Sequence, residues 1–108
     1  MKAEFRQKGE MLNYINPTDD FAEAGTLVIF GDICGITATD IAPGQLGTIA
    51  TTGVWQMPKD TAEITGGAKV YYDEANDVVN TTESDIFVGI AIEDADATAS
   101  TVAVRLNG

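Results

Sequence analysis

Short apolar and β-branched runs, separated by turn-forming residues roughly every 8–12 positions, constrain the fold of this chain most strongly. The clearest runs lie at residues 26–30, 68–73, 86–92 and 101–106. No segment carries the apolar period of a long helix, and residues 59–64 have room for a single helical turn. The pattern predicts an all-β fold, a small antiparallel β-barrel or sandwich with at most one short helical turn.

The only tryptophan, Trp55, lies in a β-rich stretch at residues 47–59. With a period of two, Ile49, Trp55 and Met57 fall on one face of this stretch. We therefore predict one continuous strand with a large apolar anchor, near the middle of a sheet.

The chain has more apolar strand than one small core needs, since a domain of this size buries only about two thirds of its unfolded surface. The run at residues 26–30 is apolar at nearly every position, which predicts burial on both faces or in a subunit interface. Association with further copies would cover such faces. The candidates for subunit interface or core are Leu27, Ile29, Phe30, Trp55 and Met57.

Charged side chains alternate with uncharged ones from Glu4 to Met11, as is typical of an extended arm or an edge strand. Residues 1–10 hold three basic and two acidic side chains, whereas residues 11–108 hold three basic and fifteen acidic ones. We predict that residues 1–12 form an extended N-terminal arm and residues 13–108 a single β-barrel domain. The hypothesis for the arm is that it becomes ordered on a partner.

Composition counts against several classes of function. The net charge of −11 repels phosphate, so neither a nucleic acid nor an anionic membrane surface is expected as a partner. Without histidine, Ser-His and Cys-His nucleophile activation are excluded. A lone cysteine, Cys34, permits no intrachain disulfide and no cysteine-based zinc site. The N-terminus lacks the apolar core of a signal peptide, which predicts synthesis and assembly in a cytoplasm.

Two acidic clusters are the strongest candidates for chemistry. The cluster at residues 73–77 lacks the central glycine of an EF-hand, and Ser84 occupies the place of its bidentate glutamate. The cluster at residues 93–96 has the composition of a solvated loop, and the glycines match no phosphate-binding motif. We predict no catalytic, metal-binding or cofactor-binding residues and therefore no enzyme.

Several sequence segments together resemble a known family. They are Phe-x-Gln-x-Gly at residues 5–9, Gly-Val-Trp-Gln-Met-Pro-Lys at 53–59, Gly-Ala-Lys-Val-Tyr-Tyr-Asp at 67–73, and Arg-Leu-Asn-Gly at 105–108. In this order they resemble the small capsid cement, or head-decoration, proteins of tailed phages. The resemblance covers nearly the whole chain and concerns structural segments rather than catalytic ones.

The resemblance implies a β-tulip-like barrel that binds the outer surface of an icosahedral head as a homotrimer and clamps neighbouring major capsid proteins. It also implies that the protein is made in the host cytoplasm and resides in the virion. The capsid-contact residues in the arm would then be Lys2, Phe5, Arg6 and Lys8. An alternative is a non-enzymatic binding module, for example for carbohydrate, with Trp55 or Tyr72 as a stacking platform.

Overall fold

The computed structural model describes residues 1–4, 10–84 and 86–108, and within them every regular element is a strand. These strands are β1 (Met11–Ile15), β2 (Leu27–Phe30), β3 (Ile33–Thr37), β4 (Leu46–Ala50), β5 (Val54–Pro58), β6 (Lys69–Asp73), β7 (Val78–Asn80), β8 (Phe87–Ala91) and β9 (Thr101–Leu106). The described residues include no helix of the length and apolarity that a membrane crossing requires. The all-β prediction is confirmed.

The strands form two antiparallel sheets that make a small β-sandwich. One sheet has the order β1-β4-β3-β2, and the other has the order β5-β9-β8-β6-β7. Two-residue and four-residue turns join β2 to β3 and β6 to β7, because Gly31 and Asp77 adopt the positive φ angles that tight turns need.

The stretch at residues 47–59 is two strands and not one, so that prediction is wrong. β4 ends at Ala50 in the four-stranded sheet, and β5 begins at Val54 in the five-stranded sheet. The chain changes sheets at residues 51–53. Gly53 has a φ of 101° there, a backbone conformation that residues with a Cβ atom rarely adopt. β5 is also an edge strand, whereas we predicted that the Trp55 strand would lie near the middle of a sheet.

The five-stranded sheet curls until its two edge strands meet at one end. Lys59, directly after β5, forms an isolated parallel bridge with Val79 of β7, and the Asp60 N–H donates to the Val79 carbonyl at 3.3 Å. β7 has only three residues and therefore covers only part of the edge of β5. The sheet is closed like a barrel at the Lys59 end and open at the Val54 end.

The main core lies between the sheets. Its fully buried members include Ile64, Val70, Val88, Val102 and Val104 of the five-stranded side. Cys34 and Ile36 of β3 complete it from the opposite sheet.

A second, smaller core lies on the other face of the four-stranded sheet. Loops at residues 16–26 and 38–45 fold over that face, held by a bridge between Ala22 and Ile41. Ile41 and Ile49 are fully buried there beside Tyr14. The two loops thus cover a sheet face that would otherwise be exposed.

β1 begins inside the segment predicted as the arm. Met11 pairs with Ala50 and Leu12 with Ile49, so these two residues belong to the four-stranded sheet. The Thr51 N–H donates to the Glu10 carbonyl at 2.9 Å, which extends this pairing by one residue. The division into an arm and a barrel domain stays a prediction for residues 1–9.

Candidate functional site

The acidic residues of the turn at 73–77 form hydrogen bonds within the β6–β7 hairpin. The Asp73 carboxylate accepts hydrogen bonds from the Asn76 side chain at 2.8 Å and from the Ala75 backbone N–H at 3.1 Å. The Asn76 bond is the main reason that the pKa of Asp73 is lowered. Among the described residues, no group of three or more cysteine, aspartate or glutamate side chains is placed to hold a metal ion.

Cys34 is buried in the main core. Burial raises the pKa of its thiol to about 11, and Sγ lies 3.5 Å from the Phe87 carbonyl. A thiol with this pKa is protonated at neutral pH and is a poor nucleophile. Cys34 is therefore a packing residue.

An open slot lies between the edges of β5 and β7. It has a volume of about 340 Å³. Its apolar lining includes Leu27, Ile36, Trp55, Met57, Tyr72 and Val79, and its polar lining includes Gln56 and Asp77. Trp55 is half-buried, and its Nε1 donates to the Thr52 carbonyl at 3.0 Å, which fixes the indole at the open end.

Tyr72 and Asp77 form the polar wall of the slot. The Tyr72 hydroxyl donates to the Asp77 carboxylate at 2.6 Å. Burial, followed by this bond and the charge of Asp77, raises the pKa of Tyr72 to about 12. With Asp73 and Glu74 in the same turn, the rim on this side of the slot is negative.

A second surface feature is an apolar ridge on β1 and β4, which we define as Met11, Ile15 and Leu46. Ile15 and Leu46 are direct cross-strand partners, and each is 61% exposed. The register places all three side chains on the sheet face that packs against the five-stranded sheet, in the part that this sheet leaves uncovered. An exposed cross-strand pair of large aliphatic side chains is a typical element of an interaction surface.

The structure separates the five residues predicted for subunit interface or core. Met57 is buried in the main core, and Leu27 and Trp55 are half-buried against it. Ile29 and Phe30 are 42% and 43% exposed, because β2 is an edge strand. They point to opposite faces, since Ile29 pairs with Cys34 and the Phe30 ring contacts Tyr14. Residues 26–30 are therefore not buried on both faces within one copy. Their alternative role, in a subunit interface, stays a prediction.

Only one of the four predicted capsid-contact residues lies in the described part of the chain. Lys2 is exposed there, whereas Phe5, Arg6 and Lys8 lie outside the described residues.

Sequence reasoning missed the roles of two polar residues, the buried Lys59 and the half-buried Asn107. Both were noted only as members of family-like segments. Lys59 lies at the closed end of the slot, and its Nζ donates to three backbone carbonyls, those of Asp60, Asp96 and Ala99. The Asn107 side chain, directly after β9, donates to the backbone carbonyls of Cys34 and Thr51 and so connects the two sheets.

Comparison with known proteins identifies the family of this chain. A family model described as phage cement protein matches residues 6–106. No curated protein and no solved structure matches the chain. Because the match spans nearly the whole sequence, both sheets and both edges of the slot lie within the matched region. The chain belongs to the phage cement protein family.

Proposed function

We propose that this protein binds the outer surface of an icosahedral phage head as a homotrimer and stabilises contacts between major capsid proteins. The observation that carries the proposal is the match to phage cement proteins over residues 6–106. A structural role in the capsid follows from the family. The charge and the exposed apolar residues of the molecule support the outer location, the arm contact and the homotrimer.

Charge favours the outer surface of the shell over the inner one. The body of the protein carries fifteen acidic and three basic side chains, so packaged nucleic acid repels it. A location outside the shell separates these charges from the phosphates. The protein is then made in the host cytoplasm and resides in the virion.

The N-terminal arm supplies the capsid contact in this proposal. Lys2, Phe5, Arg6 and Lys8 combine positive charge with an apolar side chain, and the alternating pattern suits addition to an exposed sheet edge of the capsid protein. Three arms in one trimer would strengthen binding by avidity. In this scheme Glu10, bonded to Thr51, is where the arm leaves the sheet.

Deletion of residues 1–9 tests the arm. The deletion keeps Glu10 and all of β1, so we expect an unchanged melting temperature and at least a hundredfold loss of affinity for heads that lack the cement protein, since avidity typically contributes factors of about 10²–10⁴. Quantitative binding to purified heads measures the effect. A matched control reverses only the charges of Lys2, Arg6 and Lys8, and should retain more affinity than the deletion. Equal occupancy by the deleted and the full-length protein would contradict the role of the arm.

The homotrimer in this proposal uses two surfaces of the four-stranded sheet. A closed ring of three copies needs a heterologous interface, in which one patch meets a different patch of the next copy. The ridge lies at the β1 side of the sheet, and Ile29 and Phe30 lie at the β2 side. Contact between these two surfaces would bury the exposed apolar residues of both edges.

Substitution of Ile15 and Leu46 by serine tests the trimer. Each aliphatic side chain contributes about 1.5 kcal/mol or more when buried, so the double variant should weaken association by a factor of at least ~100 per interface. Analytical ultracentrifugation at micromolar concentration should give a trimer for the unaltered protein and a monomer for I15S/L46S. The control is Ile92→Ser, since Ile92 is also half exposed but lies outside both surfaces. A monomeric unaltered protein, or a trimeric double variant, would refute this interface.

The alternative of a carbohydrate-binding module has less support. Stacking on a sugar needs an exposed aromatic face, whereas Trp55 and Tyr72 are half-buried and their polar atoms are bonded to Thr52 and Asp77. Capsid binding also accounts for the family match, which a sugar site does not.

A further inference from the structure

We infer that the slot between β5 and β7 is a strand-addition site, which receives an extended segment of the capsid shell protein. This inference rests on the proposed function but concerns a surface distinct from the arm and from the ridge. Its elements are a free backbone edge, an apolar floor beside that edge and an acidic rim.

The free edge is read from the hydrogen-bond pattern of β5. The Leu106 N–H donates to the Gly53 carbonyl, and the Lys59 N–H donates to the Ser100 carbonyl. In an antiparallel ladder, the N–H and C=O groups of every second residue face the paired strand. The backbone groups of Trp55 and Met57 therefore also face β9, and those of residues 54, 56 and 58 face the slot. Pro58 is consistent with this assignment, because proline has no N–H to donate. At position 58 the backbone faces the slot, so the ladder with β9 loses no hydrogen bond. Among the described strands β5 pairs in a ladder with β9 alone, so the slot-facing backbone groups of Val54 and Gln56 have no ladder partner.

The edge is open over a defined length. β5 and β7 meet only at Lys59 and Val79, and β7 is three residues long. An added strand therefore enters from the Val54 end and pairs with residues 54–56, a length of roughly 10 Å. An unprotected edge of this kind is a template for backbone pairing with another chain.

The floor of the slot fits the side chains of an added strand. Trp55 and Met57 point to the interior side of β5, and Leu27 of the other sheet lies opposite them. Every second side chain of an added strand would point to this apolar floor. Backbone hydrogen bonds provide affinity in such complexes, and pockets for alternate side chains provide specificity.

Charge selects the partner. Asp77 lines the slot, and Asp73 and Glu74 lie in the same turn. Lys59 does not offset them at the open end, since its amine is buried at the closed end on three carbonyls. An acidic segment from the body of a second copy would be repelled at this rim, whereas the trimer contact proposed above uses apolar surfaces elsewhere. The occupant is therefore an extended shell segment with alternate apolar side chains and a lysine or arginine facing Asp77.

The test compares Gln56→Pro with Gln56→Ala. Both variants lose the side-chain bond from Gln56 to Thr101, but only proline also removes the slot-facing N–H. Melting curves of the two variants should agree within a few degrees, because both lose the same side-chain bond and the backbone of residue 56 does not bond to β9. We expect Q56A to bind heads lacking the cement protein like the unaltered protein, and Q56P to bind at least tenfold more weakly.

Hydrogen exchange of the unaltered protein provides a measurement that needs no variant. The amide of Gln56 should exchange rapidly in the free protein and at least tenfold more slowly on heads. Unaltered exchange on heads, together with equal binding by Q56P and Q56A, would overturn the slot inference and leave the proposed function standing. Failure of the unaltered protein to bind heads would overturn both. Protection of the Gln56 amide by neutral oligosaccharides instead of by heads would replace the shell segment with a sugar.

Discussion

Replacement of Lys59 by methionine should lower the free energy of unfolding by about 3 kcal/mol, because three backbone carbonyls lose a charged donor at once. The Nζ of Lys59 lies 2.9 Å, 3.0 Å and 3.2 Å from the carbonyl oxygens of Asp60, Asp96 and Ala99. Methionine fills nearly the same volume, so loss of packing contributes little. For a domain of this size the melting temperature should fall by about 10–20 °C.

Lys69→Met is the matched control. Lys69 begins β6 and is exposed, so its replacement removes the same charge without removing a buried donor. We expect its free energy of unfolding to stay within about 0.5 kcal/mol of the unaltered value. Chemical denaturation of both variants measures the difference. If K59M and K69M unfolded at the same denaturant concentration, the three bonds of the Lys59 amine would contribute no more to stability than an exposed charge does.

Replacement of Asn107 by glycine should lower the free energy of unfolding by roughly 2–3 kcal/mol. The Asn107 side chain donates to the Cys34 carbonyl at 2.9 Å and to the Thr51 carbonyl at 2.8 Å, and it accepts from the Cys34 N–H at 3.2 Å. These bonds join the end of β9 to the other sheet. Glycine tolerates the φ of 60° at this position, so the substitution removes the bonds without adding backbone strain.

Asn76→Gly is the control for Asn107→Gly. Asn76 lies in the exposed turn of residues 73–77 and bonds only to Asp73 within it. Its replacement should cost less than about 1 kcal/mol, since both groups remain solvated. Thermal and chemical unfolding of the two variants should therefore differ clearly. Equal stability of N107G and the unaltered protein would show that the two sheets are held together by apolar packing alone.

The strands and hairpins could be predicted because their signals are local. The β2–β3 hairpin follows from Gly31-Asp32 between two apolar runs, and β9 follows from its own composition. The change of sheet at residues 51–53 could not be predicted in the same way. Alternation continues from Ile49 to Met57 through the bend, and a period of two does not report which sheet a residue joins.

The structural roles of Lys59 and Asn107 depend on residues that are distant in the sequence. Lys59 bonds to carbonyls at residues 96 and 99, and Asn107 bonds to residues 34 and 51. A lysine after a proline at the end of a strand normally predicts an exposed charge. Only the fold brings these partners together, so a single sequence shows the residues without their function.

The slot was also beyond sequence reasoning. It exists because β5 and β7, which are separated by β6 along the chain, form the two edges of one curled sheet. The sequence predicts Trp55 as an apolar anchor, but its strand lies at an edge, and the backbone beside it is the open part of the sheet. The exposure of Ile15 and Leu46 could not be predicted either. It arises because the five-stranded sheet leaves this part of the four-stranded sheet uncovered.

The most direct measurement is the addition of the purified protein to phage heads assembled without it, followed by electron cryomicroscopy and thermal disruption of the heads. We predict trimeric density at symmetry-related positions on the outer surface of the shell, with saturating occupancy, and a higher temperature of disruption than for bare heads. Heads that acquire no ordered density on their outer surface, or that are disrupted at the same temperature with and without the protein, would contradict its role as a capsid cement.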